Sequence, residues 1–187
     1  MGKLISSAVV ALAILLPAGA LADGLPAPAG PVVLTVAGDA VGNPNRPPFD
    51  PFEDAFAKYH DKTFARAAAF DRAMLESLDQ HEVILAYKGW PRTFRFRGPW
   101  LRDVLAAAGA GGAAKVTAVA LDGFATEIPR DLLDAQDWLV AVRRDGRYLD
   151  LGQRGPLWIV YAPQGGRAAT ADDEGRWPWA VFMIMVE

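Results

Sequence analysis

The stretch FRFRGPWLRDVLAAAG, residues 94–109, predicts a strand that runs directly into a helix. Its first residues alternate apolar and basic side chains, which is the pattern of a strand with one buried face and one wet face. Pro99 can occupy the first turn of the helix, and Gly109 is placed to end it. The buried stripe of that helix follows helical spacing: Leu101, Val104, Leu105 and Ala108.

Outward from this stretch the chain consists mainly of strands with a few short helices. We predict strands at Val32–Val41, His81–Tyr87, Thr93–Phe96, Lys115–Leu121, Phe124–Ile128, Trp138–Arg143, Arg147–Leu151, Leu157–Tyr161 and Trp179–Val186. Short helices are expected at Phe52–Tyr59 and from Pro129 to Leu133. A third is expected to begin after the N-cap residue Asp71 and to end near Leu78. His81–Tyr87 is expected to be a buried strand, and Asp145-Gly146 a tight hairpin turn. Without regular βαβ alternation, this order favours an α+β fold with mixed or antiparallel β-sheets.

The first 22 residues have the pattern of a secretory signal peptide. Lys3 precedes the apolar run Leu4–Leu16, and Ala20-Leu21-Ala22 fits a cleavage site after Ala22. A retained membrane anchor is the alternative, but the apolar run falls short of the roughly 20 residues that span a bilayer. We therefore predict an exported protein with a flexible lead-in at residues 23–31 and one domain at residues 32–187.

Composition removes several kinds of chemistry. The 187 residues contain no cysteine, which excludes disulfides, a thiolate nucleophile and thiolate-bound metals. The two histidines, His60 and His81, lack the spacing of a metal site, so no metal ligand is predicted. The net charge of −3 argues against a general affinity for nucleic acid. The acidic run Asp172-Asp173-Glu174 is expected to be a solvated loop.

Tryptophan and arginine are the residue types left for ligand binding. An indole ring can stack on a flat heterocycle, and a guanidinium offers planar donors to its oxygen atoms. Trp177-Pro178-Trp179 follows a polar loop and is the first place to look. If this segment is a strand, positions 177 and 179 share a face, so both rings cannot lie in the core. Core packing remains the alternative for any single tryptophan.

Four segments, taken in order, resemble the molybdopterin-binding oxidoreductase family, which has the sulfite-oxidase fold. They are residues 94–109, Asp122-Gly123-Phe124, the Asp145-Gly146 hairpin and residues 154–160, which read RGPLWIV. In that family a helix of this type follows a Gly-Pro or Gly-Val turn, and a Gly-Pro-Leu segment opens a late core strand. The resemblance covers about residues 32–187 and implies that residues 43–66 are an insertion.

The resemblance also implies where a metal would be held. Enzymes of the family bind molybdenum through a cysteine that follows a buried strand, and the corresponding position here falls near Ala86. A methyl group cannot coordinate a metal, so a redox function is not expected. Small exported relatives without this cysteine bind a pterin without molybdenum. They regulate a membrane-bound diguanylate cyclase or sensor kinase from the periplasm.

This chain resembles those relatives, which implies a periplasmic, non-catalytic pterin-binding module with a membrane signalling protein as partner. The pterin-binding residues implied in this way are Trp90, Arg154, Trp177 and Trp179. One alternative is a molybdopterin-dependent oxidoreductase with another oxygen ligand, such as Tyr87 or a water. A second alternative is a structural or assembly partner. Aromatic residues in 43–66 could form a partner surface or a satellite core: Phe49, Phe52, Phe56 and Tyr59.

Overall fold

The computed structural model describes residues 24–187, which form two β-sheets and five short α-helices. The predicted signal peptide at residues 1–22 lies outside the described residues. The strands are β1 (Val32–Ala37), β2 (Ala67–Asp71), β3 (His81–Leu85), β4 (Phe94–Gly98), β5 (Lys115–Ala120), β6 (Ala125–Pro129), β7 (Trp138–Ala141), β8 (Arg143–Arg144), β9 (Arg147–Tyr148), β10 (Leu157–Tyr161) and β11 (Trp179–Val186). The helices are α1 (Ala55–Tyr59), α2 (Arg72–Ser77), α3 (Leu101–Ala107), α4 (Arg130–Ala135) and α5 (Ala171–Glu174).

The large sheet is organised around β11. This strand pairs antiparallel with β5 along residues 181–186 and parallel with β1 at residues 183–185. Its first residues pair with β10, which continues to β7 at one end of the sheet, while β2 lies beyond β1. β6 pairs with β5 to complete the seven strands. The sheet is therefore mixed, with one parallel pair among antiparallel ones.

The small sheet has the order β3-β4-β8-β9 and is joined to the large one at Gly98. The backbone N–H of Val140 in β7 donates to Pro99 O at 2.9 Å, and that of Val142 donates to Arg97 O at 2.9 Å. A Cβ atom at Gly98 would lie 1.9 Å from Val140 O. The two sheets can approach this closely only because residue 98 has no side chain.

One hydrophobic core extends across both sheets. It includes Leu34 and Phe70 from the large sheet, Phe96 from the small sheet, and Leu101 and Leu105 from α3, all fully buried. Burial of each large apolar side chain contributes about 1.5–3 kcal/mol. The helix stripe predicted from the sequence is therefore what attaches α3 to the sheets.

The α+β class predicted from the sequence is confirmed, with corrections to single elements. β3 is not fully buried, because Ile84 is 57% exposed between the buried Val83 and Leu85. Pro99 lies before α3, whose N-cap is Trp100. No strand is predicted at β2, since Ala67–Asp71 lacks the β-branched residues typical of strands. Pairing with β1 creates this strand.

Residues 43–66 lie between β1 and β2 and contain α1. Their aromatic residues divide into two groups. Phe49 packs edge-on against Phe64 at 5.9 Å between ring centroids, in a small second core cluster. Phe52, Phe56 and Tyr59 are 85%, 60% and 80% exposed. Phe49 therefore belongs to a satellite core, whereas Phe52, Phe56 and Tyr59 stay exposed, and their role as a partner surface stays a prediction.

Candidate functional site

The four residues predicted as a binding site meet around one tryptophan, Trp158. The Trp90 ring lies 5.5 Å from that of Trp158 and 5.6 Å from that of Trp177 between centroids. The Arg154 guanidinium carbon lies 4.7 Å from the Trp158 ring centroid and 5.5 Å from that of Trp179. We call these five residues the aromatic cluster.

Trp158 is the member of the aromatic cluster that sequence reasoning missed as a site residue. It lies in β10, is 1% exposed, and donates its indole N–H to Trp177 O at 3.1 Å. Its register partner across the sheet is Trp179. A tryptophan within an apolar strand indicates only core packing, so no signal in the sequence separates Trp158 from an ordinary core residue.

Trp177 lies outside the strand, so the condition under which Trp177 and Trp179 would share a strand face is not met. Trp177 precedes β11 and is 2% exposed, whereas Trp179 opens the strand and is 36% exposed. The register shifts next to this point, and Ala180 has a φ of 53° in the left-handed region. A β-bulge of this kind re-aims the side chains beside it. Trp177 therefore packs in the core, and Trp179 is the tryptophan with an open ring face.

Arg154 joins the two sides of the cluster. Its backbone carbonyl accepts a hydrogen bond from Ala180 N at 3.0 Å, which fixes the bulge beside Trp179. Its side chain is half-buried, and within residues 24–187 it forms no ion pair with a carboxylate. Two indole rings face its guanidinium, so the positive charge is held by aromatic faces alone. Such a cation favours an acceptor or an anion next to it.

Three nitrogen donors of the aromatic cluster are buried without an acceptor in the described part of the chain. They are Trp90 Nε1, Trp177 Nε1 and one terminal nitrogen of Arg154. A buried donor without a partner costs about 1–3 kcal/mol, so most such groups are satisfied. Three in one cluster are all donors, and each is closed off from the surface, so the acceptor atoms of a ligand could reach them only if the cluster opened.

Ala86, near which the resemblance places the family's metal ligand, follows β3 on the surface and carries no donor atom. Next to it, Tyr87, Gly89 and Thr170 help to line a mainly apolar cavity of about 500 Å³. A backbone bridge between Tyr87 and Ala169 holds the two walls together. None of the four predicted site residues lines this cavity, although Trp90 N donates to Tyr87 O at 2.9 Å.

A buried carboxylate supports the segment that leads to Trp177. Asp173 in α5 accepts hydrogen bonds from both terminal nitrogens of Arg167, at 2.6 and 2.9 Å, and from the Tyr161 hydroxyl at 2.9 Å. The Arg167 guanidinium holds the pKa of Asp173 well below its usual range. Burial, together with the bond to Asp173, raises the pKa of Tyr161 to about 12. The expected solvated acidic loop is wrong for Asp173, which is 4% exposed.

No protein-family profile and no curated protein sequence matches this chain. Among residues 24–187 no helix has the length and apolar character to cross a membrane. The same residues contain no group of three or more histidine, aspartate or glutamate side chains placed to hold a metal ion. The geometry of the aromatic cluster is therefore the basis for a functional proposal.

Proposed function

We propose that this chain has the sulfite-oxidase fold and is a periplasmic, non-catalytic pterin-binding module that regulates a membrane signalling protein, such as a diguanylate cyclase or sensor kinase. The observation that carries the proposal is the set of unpartnered donors on Trp90, Trp177 and Arg154. A pterin is flat, aromatic and rich in ring nitrogen and carbonyl acceptors. It matches both the stacking surface and the donors of the aromatic cluster.

In this proposal the roles of the cluster residues differ. The pterin stacks on Trp179, whose ring is partly exposed, and the Arg154 guanidinium beside that ring donates to the heterocycle. Trp90 and Trp177 pack behind these two residues and exclude water, and their buried indole N–H groups reach the pterin only if the cluster opens on binding. Trp158 supports all of them from the core, because Trp90 and Arg154 both pack on its ring.

Molybdenum held in the manner of the family does not fit this chain. That mode of binding uses a thiolate, and the sequence has no cysteine and an alanine at position 86. We therefore derive no redox step. The pterin is a bound ligand in this proposal, and occupancy of the site is the signal that reaches the partner.

The exposed aromatic residues of segment 43–66 suit contact with the receptor. Phe52, Phe56 and Tyr59 project from one short stretch, and the Phe56 ring lies 5.9 Å from that of Phe182 in β11. β11 begins at Trp179 in the aromatic cluster, and its fourth residue, Phe182, lies against this exposed aromatic surface. A connection along β11 would link pterin binding to receptor contact.

The test is to purify the protein from periplasm, extract the bound material for pterin fluorescence, and measure molybdenum and tungsten. Pterin without metal supports the proposal. Stoichiometric metal overturns it in favour of an oxidoreductase without the usual cysteine. A preparation that contains neither pterin nor metal overturns the proposal in favour of a structural or assembly role.

Variants then locate the site. Trp179→Ala and Arg154→Gln are expected to weaken pterin binding at least tenfold, since stacking on an aromatic ring and a charge-assisted hydrogen bond each contribute about 1–3 kcal/mol. Phe56→Ala removes a more exposed aromatic ring away from the cluster and is expected to retain the pterin while losing the effect on the receptor. Unchanged binding by Trp179→Ala would place the ligand elsewhere, with the cavity beside Tyr87 as the first position to examine.

A further inference from the structure

A small polar cavity of about 250 Å³ lies at the hairpin formed by β8 and β9. Three arginines contribute to its lining, Arg92, Arg144 and Arg147, together with the carboxylates of Asp145 and Asp150. The lining therefore has one positive charge in excess, although the whole chain has a net charge of −3. Guanidinium groups are the donors best suited to phosphate oxygens, because their planar fork can bind two of them at once.

Arg144 and Arg147 lie directly opposite each other in the β8–β9 ladder. Like charges at directly opposed positions destabilise a strand pair. Within residues 24–187, neither of the two arginines forms an ion pair with a carboxylate. The hairpin thus holds two positively charged side chains opposite each other beside a cavity. An anion in that cavity would attract both of them and offset their mutual repulsion.

Two of the three cationic groups of this cavity, those of Arg92 and Arg144, are held in place, whereas Arg147 is exposed. The guanidinium carbons of Arg92 and Arg144 lie 4.5 and 4.8 Å from the ring centroid of Phe94. Asp145 is fully engaged, since one oxygen accepts from Arg92 at 2.7 Å and the other accepts from Arg95 N at 3.0 Å. Asp145 therefore positions Arg92 and forms no ion pair with the other two arginines of the cavity. Donors fixed in advance lose little entropy when they bind a ligand.

We infer that this cavity, which we call the hairpin cavity, binds a phosphate group, either as the free ion or as a phosphomonoester of a small molecule. Arg144 and Arg147 bind its oxygens from opposite strands, and Arg92 completes the cationic wall. This site is separate from the proposed pterin site. It concerns a different ligand class, and its residues are not those of the aromatic cluster.

Thermal unfolding tests this inference, because Arg147→Gln is expected to have a higher Tm than wild type without phosphate and a lower Tm than wild type with it. Without phosphate, Arg147→Gln is expected to raise the Tm by about 1–3 °C, because it removes the like-charge pair. With inorganic phosphate at a hundredfold excess over its dissociation constant, the wild-type Tm is expected to rise by about 5–10 °C, and Arg144→Gln and Arg147→Gln are expected to lose this shift. Phenyl phosphate in place of phosphate shows whether a monoester is also accepted.

Chloride at matched ionic strength and Arg66→Gln are the controls. Arg66 is exposed, donates to Gly42 O, and does not line the cavity, so its variant should show the full phosphate shift. A wild-type shift no larger than that with chloride, or an equal phosphate shift in Arg147→Gln, overturns the inference. A larger shift with phenyl phosphate than with free phosphate assigns the cavity to a phosphorylated small molecule, and the reverse assigns it to the free ion.

Discussion

At the scale of single residues, Asp173 shows how burial reverses the meaning of a charged run. Three acidic residues in sequence indicate a solvated loop, and Asp172 is indeed exposed. Asp173 is the third residue of α5 and forms a reciprocal capping box with Thr170. The same carboxylate then accepts from Arg167 and Tyr161. It ties the loop before Trp177 to β10, so it maintains one wall of the aromatic cluster.

Asp173→Asn is expected to lower the free energy of unfolding by about 3 kcal/mol at pH 7, because it leaves its donors with a weaker acceptor. The folded-state pKa of Asp173 lies below its ordinary value, so its contribution is complete above about pH 4 and is lost as the pH falls further. Urea unfolding of wild type and variant from pH 7 to pH 2.5 should therefore show a difference that shrinks below pH 4.

Asp172→Asn is the matched control for this change. Its side chain is exposed one residue earlier in the same helix, and we expect an effect within about 0.5 kcal/mol at all pH values. A pH-independent difference between wild type and Asp173→Asn would mean that the carboxylate charge is not what stabilises this segment.

At the scale of elements, the strand–helix unit of residues 94–109 is defined as much by Gly98 as by its apolar pattern. β4 ends at Gly98, where the backbone of β7 crosses within hydrogen-bonding distance of Arg97 and Pro99. α3 begins three residues later and covers the core. β4 of the small sheet is thereby linked to β7 of the large sheet. This link brings the ring of Phe96 to 5.1 Å from that of Trp158 between centroids.

Gly98→Ala is expected to destabilise the protein by about 3 kcal/mol, because its Cβ would meet the backbone oxygen of Val140 rather than a flexible side chain. Gly112→Ala is the control, since a Cβ there meets no atom within 4 Å. Chemical denaturation of both variants measures the difference. Similar stabilities would show that the two sheets can separate at this point without loss.

At the scale of the whole molecule, the two sheets share one core rather than forming two. The main cluster of buried residues contains Leu34 and Phe70 from the large sheet together with Val83 and Phe96 from the small one. The aromatic cluster lies at their meeting point, since Trp90 precedes β4 and Trp158 belongs to β10. A binding site at such a junction depends on both sheets.

We expect the chain without residues 1–22 to unfold in one cooperative transition. Far-UV circular dichroism reports the sheets, and tryptophan fluorescence is dominated by the aromatic cluster, so the two probes should give coincident curves. If the fluorescence transition came first, the cluster and the small sheet would form a separate unit from the rest. Coincidence would confirm that the core acts as a single unit.

The sequence by itself determined the α+β class, most strands and the Asp145-Gly146 turn. These follow from local rules of periodicity and turn chemistry. Only the tertiary structure decided that β2 pairs as a strand, that Ile84 is exposed, and that Trp177 is buried while Trp179 is not. A bulge at Ala180 and contacts between residues far apart in sequence set these outcomes, and neither is encoded in a local pattern.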